Sequence, residues 1–194
     1  MNRILIIVLY CATSQASDVT PAFRDGDIIF HTSRSSQSLA VQRATKSPYS
    51  HMGIILHRGG KPFVFEAAST VEFTPLAKWM ARGLDGHYVV KRLADSSTRL
   101  TAPAIGRLRE QAQSIRGKPY DPAFEWSDDR FYCSELVWKL YERALGVELG
   151  KLHACVTSTW AIRSYQPRFG SDMEIVFRLM SVSSLRQRYS TLAS

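Results

Sequence analysis

The sequence predicts an α+β fold, and three observations carry that expectation. A Gly59-Gly60 pair stands between two apolar runs of strand length, which is a strong hairpin signal. Apolar residues from Cys133 to Leu145 recur at helical spacing, so they share one face. The element order is an early helix, a hairpin, further strands and then a long helix. The chain has 194 residues, 45% hydrophobic and 22% charged, which suits one domain (17–194) with a hydrophobic core.

The first segment reads apart from the rest. Met1-Asn2-Arg3 is basic, Ile4 to Ala12 is almost wholly apolar, and Ser14-Gln15-Ala16 offers small residues at a cleavage position. This is the layout of a secretory signal peptide, 1–16, with cleavage near Ala16. The apolar run is too short for a membrane span, which needs about 20 residues. The expected location is therefore periplasmic or secreted.

Asp25 to Phe30 reads as a turn into a buried strand. Ser33 to Ala44 reads as a helix, ended by Lys46-Ser47-Pro48 because the residue before a proline disfavours helix. Met52 to Leu56 and Pro62 to Ala67 are the hairpin strands. Glu72-Phe73-Thr74-Pro75 begins a new segment, followed by a short helix, Leu76 to Arg82, and a strand, His87 to Leu93. Pro103 to Arg116 has helical spacing and stops at Gly117. Pro119 to Pro122 is a loop. The clearest helix is expected to start near Asp128-Asp129, whose acids suit its positive end as caps, and to stop at Gly146. Glu174 to Met180 reads as a final strand, with the last dozen residues frayed.

The formal charge of +8 fits anionic partners, and for an exported chain these are envelope surfaces. Nucleic acid is discounted because the basic residues are scattered. Loss of the first segment leaves two cysteines, Cys133 and Cys155, and an oxidising compartment invites a disulfide between them. His31, His57, His87 and His153 have no metal-like spacing with the cysteines, so neither a metal nor a cofactor is expected.

Three residues have the chemistry of a nucleophilic site. Cys133 falls in the first turn of the best-defined helix, where the macrodipole and unpaired amides favour a thiolate; the competing reading is a small buried hydrophobe. His51 opens a strand and offers a base near neutral pH, or is simply a satisfied core histidine. Glu66 interrupts an apolar strand, and a buried carboxylate there needs a partner. A two-residue Gly59-Gly60 loop pairs Arg58 with Lys61 and puts His51 and Glu66 on one face. A one-residue slip would separate them. In register, the carboxylate orients the imidazole and leaves its other nitrogen for the thiol.

Gly26 to Phe30, Ser47 to Gly53, Phe63 to Ala67, Thr74-Pro75-Leu76, Gly117 to Asp121 and Trp126 to Glu135 together resemble the YiiX/YaeF-type permuted papain-like amidases. That family is a circularly permuted branch of the NlpC-type cysteine peptidase superfamily. The resemblance covers roughly residues 24 to 149 and implies an antiparallel sheet packed against helices, with a late Cys-bearing helix. Permutation places the histidine first, the acidic residue on the next strand and the cysteine on a late helix, as here. The family's roles fall on Cys133 as nucleophile, His51 as base and Glu66 as orienter, which disfavours a Cys133–Cys155 disulfide. After residue 150 the match weakens: Val156-Thr157-Ser158 lacks the proline of the family's Val-Ser/Thr-Pro segment.

Tyr49, Ser50, Trp126 and Tyr132 are candidates to line the substrate cleft, with Tyr49 and Tyr132 as oxyanion donors beside the safer backbone N–H of Cys133. The expected activity is a cysteine amidase or peptidase acting on envelope amides such as cell-wall peptides or acyl amides. A lipid acyltransferase or lipid hydrolase using the same triad, and a binding module on a retired scaffold, are the alternatives.

Overall fold

The computed structural model describes residues 23–149 and the backbone of 189–192. The elements in chain order are β1 (Ile28–His31), α1 (Ser38–Thr45), β2 (His51–Arg58), β3 (Lys61–Ala67), β4 (Val71–Pro75), α2 (Leu76–Ala81), β5 (Tyr88–Leu93), α3 (Ser96–Arg99), α4 (Ala102–Ile115), α5 (Cys133–Leu145) and β6 (Tyr189–Leu192). The described strands form one six-stranded sheet of order β4-β3-β2-β1-β5-β6, antiparallel at every pairing. The fold is the α+β arrangement read from the sequence.

Strand alternation divides the core. Ile28, Phe30, Met52, Ile54, Leu56 and Phe65 face α4 and α5, where Leu108, Ala112, Leu136, Val137 and Leu140 meet them. Ile29, Ile55, Val64 and Val90 face the other way, onto Leu76 and Trp79 of α2. The Gly59-Gly60 turn has positive φ at both residues (57° and 74°), the geometry a two-residue hairpin needs. The resulting register pairs Arg58 with Lys61 and Ile54 with Phe65. That is the register in which His51 and Glu66 share a face.

Several boundaries differ from the sequence expectation. α1 starts at Ser38, not Ser33. Ser33 donates its N–H to Ser50 Oγ (2.8 Å), and Ser38 Oγ meets the same hydroxyl (2.7 Å), so serine side chains hold 33–37 out of the helix. α5 starts at Cys133 rather than near Asp128, with extended Tyr132 as its N-cap. Asp128 is therefore no cap: it accepts hydrogen bonds from Lys139 (3.0 Å) and Arg143 (2.8 Å), one to three turns into α5. Residues 71–75 form an edge strand, which the sequence left unassigned. Residues 189–192 pair with β5 where fraying was expected. The leader 1–16, Cys155, the 156–158 segment and the Glu174–Met180 strand lie outside the described residues.

Gly53 explains how β2 and β3 approach at the centre of the sheet. A Cβ there would stand 2.4 Å from Val64 Cγ1 and 2.8 Å from the Phe65 carbonyl oxygen. The strand's own backbone would have to shift. Gly53→Ala is expected to cost about 1–3 kcal/mol by overpacking, read as a lower midpoint in urea unfolding.

Candidate active site

The start of α5 is fixed before the site is complete. Glu135, fully buried in its first turn, accepts the N–H groups of Tyr132 (3.4 Å) and Ser127 (3.1 Å) and pairs with Lys139 Nζ (2.7 Å). Those contacts tie the preceding loop to the helix and set the entry angle of Cys133. Burial pushes the Glu135 carboxyl up to about 7, against the pull of Lys139 and the two backbone donors. Cys133 is the first helical residue, 4% exposed, and its sulfur reaches the cleft.

His51 sits at the end of β2, beside that helix start. Its Nε2 lies 2.6 Å from Glu66 Oε2, and the same ring hydrogen-bonds Cys133. Glu66 is completely buried yet fully provided for. Thr74 Oγ1 (2.5 Å) and Arg82 Nη2 donate to Oε1, and Trp79 Nε1 (2.9 Å) joins His51 on Oε2. Burial alone would raise this carboxyl, but hydrogen bonding and charge from His51, with Thr74 and Arg82, hold it down at about 2. His51 shows the same contest. Burial lowers it, and hydrogen bonds and charge from Cys133 and Glu66 overcome that and push it up to about 9. The imidazole is thus a cation at neutral pH, held between a sulfur and a carboxylate.

Sequence reading missed His31, Thr74, Trp79 and Arg82 as parts of the site. His31 pairs with His51 across β1 and β2 and stacks on Trp79, with ring centroids 3.9 Å apart and planes 15° from parallel. It is 1% exposed, and its Nδ1 has no hydrogen-bond partner. Burial, followed by the charges of His51 and Arg82, lowers it to about 3, so it stays neutral. His31, His51 and Trp79 form one aromatic shelf behind the thiol. No spacing rule links residues 31, 74, 79 and 82; only the sheet order brings them together.

The thiol and imidazole open into a cleft of about 590 Å³. Val41, Ala67, Ala68, Ala81 and Phe124 make an apolar wall; Ser33, Arg34, Ser35, Gln37 and Arg82 make a polar one. Of the four expected lining residues, Ser50 is at the cleft and the other three are not. Tyr49 packs towards Phe30 and His87, Trp126 packs edge-on to Trp138, and Tyr132 is fully buried against Phe124. An N-cap faces back into the core, which is why the residue next to Cys133 in sequence is not beside its sulfur in the cleft. Tyr120 lines the cleft instead, its hydroxyl donating to Gln37 Oε1 (3.2 Å), and burial with the nearby Cys133 and Asp121 raises its phenol. Among the described residues no group of three or more His, Cys, Asp or Glu side chains is placed to hold a metal ion.

A cysteine at a helix start, a strand histidine against it and a carboxylate on the next strand define a papain-like arrangement, here with the histidine first in the chain. Residues 22–166 match the model of the permuted papain-like amidase enzymes, YaeF/YiiX, C92 family, and the chain belongs to that family. It is 47% identical over 154 residues to the uncharacterized protein YiiX of Escherichia coli strain K12, covering 77% of this chain and 71% of the relative. The crystal structure of metalloprotein yiiX from Escherichia coli O157:H7 superposes with a TM-score of 0.74 at 38% identity, over 89% of this chain and 97% of that one.

The protonation states are open to measurement. Histidine ring resonances are expected to show His51 still protonated at about pH 8 and His31 still neutral at about pH 4, each about a unit inside its pKa. The linkage has opposite signs. His31 and Glu66 are depressed from 6.5 and 4.5, so their contributions fade as pH falls through about 3 and 2. His51 is raised from 6.5, so its contribution fades as pH rises through about 9. Free titration of both rings near 6.5 would contradict the arrangement.

Proposed function

We propose that this protein is a cysteine amidase or peptidase that cleaves amide bonds in cell-envelope material through Cys133, His51 and Glu66. The observation that carries it is the imidazole shared between the Cys133 sulfur and the Glu66 carboxylate at the mouth of a cleft. The Cys133 sulfur attacks the scissile carbonyl carbon, and the carbonyl π electrons move onto oxygen. The backbone N–H of Cys133, at the positive end of α5, is the donor for that oxyanion. His51 gives its proton to the leaving amine as the tetrahedral species collapses to a thioester. Water, deprotonated by the now neutral ring, attacks the thioester, and the acid departs with the thiol restored. Glu66 stays ionised throughout, holds the ring in place and stabilises its charge whenever it is protonated.

The apolar wall of Val41, Ala67, Ala68, Ala81 and Phe124 favours a second reading, in which the acyl group is a lipid chain and the bond an ester or amide of a lipid. The expected leader, 1–16, puts either substrate outside the cytoplasm. The solved relative is described as a metalloprotein. The residues here do not fit a metal at the site. Glu66 already accepts four donors, His31 has a single uncommitted nitrogen, and no three suitable side chains converge among the described residues. No step above passes through one.

Intact-mass labelling with iodoacetamide is expected to modify Cys133 quickly and singly in wild type, and slowly in His51→Ala. Turnover should vanish in Cys133→Ala and fall by roughly 10²–10⁴-fold in Glu66→Gln. A panel of muropeptides, acyl lipids and N-acyl amides separates the two substrate readings: turnover of lipids alone removes the peptide one. An inert Cys133 removes both.

A further inference from the structure

We propose that the cleft selects substrates carrying an anionic oxyacid group, a carboxylate or a phosphate, near the scissile carbonyl, and that Arg34 and Arg82 are the specificity residues that bind it. The proposal deepens the hydrolase reading and rests on it.

The first observation is the charge balance of the cleft. Among the described residues, none that lines it is an Asp or Glu. The nearest carboxylates are spoken for. Glu66 is buried under His51 and Arg82, and Asp121, 2% exposed, accepts the N–H groups of Ala123 (2.9 Å) and Glu125 (2.5 Å). Against the single charge of Glu66 stand His51, Arg82 and Arg34. Even with the thiol ionised, the described residues of the site carry a net positive charge. The depression of His31, caused in part by His51 and Arg82, reports the same field from inside the wall.

The second observation is that the arginines are underused. Arg34 is exposed on the polar wall and makes no ion pair among the described residues. Arg82 commits Nη2 to Glu66 and buries its Nε, while its side chain stays 40% exposed at the cleft. A guanidinium presents several donors in a planar fork, so Arg82 keeps donors for a second anion. Arginine is suited to planar or tetrahedral oxyanions and keeps its charge at any working pH. Ser33, Ser35 and Gln37 lie beside Arg34 and add neutral donors. Two cations facing a cleft with no acid among its described lining residues are costly to the free protein through mutual repulsion, and an anionic substrate removes that repulsion on binding. An apolar wall and a cationic wall then divide the work: one takes the acyl portion, the other the anion.

The test uses two alkylating reagents of similar size, iodoacetate and iodoacetamide, on the full chain. For a thiolate free in water the anionic reagent is the slower one, because like charges repel. At Cys133 iodoacetate is expected to be the faster, by about tenfold relative to a small-thiol reference, the scale of one charge-assisted contact. Arg34→Gln should erase most of that preference, read as the ratio of the iodoacetate rate to the iodoacetamide rate. Arg34→Lys should restore part of it. Protection of Cys133 from iodoacetamide by N-acetylalanine, compared with glycerol phosphate, tells a carboxylate substrate from a phosphate one, and loss of either protection in Arg34→Gln supports the proposal. Equal relative rates for the two reagents in wild type, or a preference untouched by Arg34→Gln, would overturn it. A thiol that reacts with neither reagent would instead overturn the hydrolase reading, so the two failures are distinct.

Discussion

A single buried carboxylate organises this molecule. Glu66 has no access to solvent, and an ionised group in that position is tolerable only if hydrogen bonds replace the water it has lost. Four donors do so, from β2, β4, α2 and the residue that ends α2. The requirement runs in both directions. The carboxylate needs those donors, and they fix where α2 and β4 lie against the hairpin. His51 is one of the four, so the orientation of its ring follows from the solution to a solvation problem. The ring's positive charge follows as well, since a carboxylate on one side and a sulfur on the other outweigh the cost of burying it.

The Cys133 side of the site is built by a second buried acid with a different task. Glu135 holds the first turn of α5 to the loop before it, and Lys139 answers its charge. Its surroundings leave the carboxyl raised, whereas Glu66 is lowered. The difference lies in the donors: four directed ones at Glu66, against one ammonium and two backbone N–H groups at Glu135. Two acids of the same type, both without solvent, thus serve as an electrostatic anchor and a mechanical one.

Much of this was legible in the sequence for local reasons. The hairpin register rests on Gly59-Gly60 and nothing distant, so the shared face of His51 and Glu66 followed by counting. The apolar face of α5 is likewise periodic. The start of α5 was misread because Asp128-Asp129 has the composition of a cap, while the ion pairs of Asp128 with Lys139 and Arg143 are made across turns and leave no local mark. His31 and Trp79 were missed for a similar reason. Their stacking depends on β1 lying beside β2 and on α2 covering the sheet, and both are properties of topology. Tyr132 turned inward because adjacency in sequence at a helix start does not give adjacency in space, and Tyr49 and Trp126 pack instead on Phe30 and Trp138.

The order of the pieces along the chain has one more consequence. His51 and Glu66 sit on neighbouring strands of one hairpin, joined by a tight turn, so their contact closes a short loop and belongs to the fast, local class of folding events. The thiol is on a helix far downstream, and its approach to the ring closes a long one. A ribosome releasing this chain from its amino end delivers His51 and Glu66 well before Cys133 emerges. The site therefore has a built-in delay: a growing or partly made chain holds the imidazole–carboxylate pair alone, and the finished helix is what brings the sulfur of the proposed triad to it.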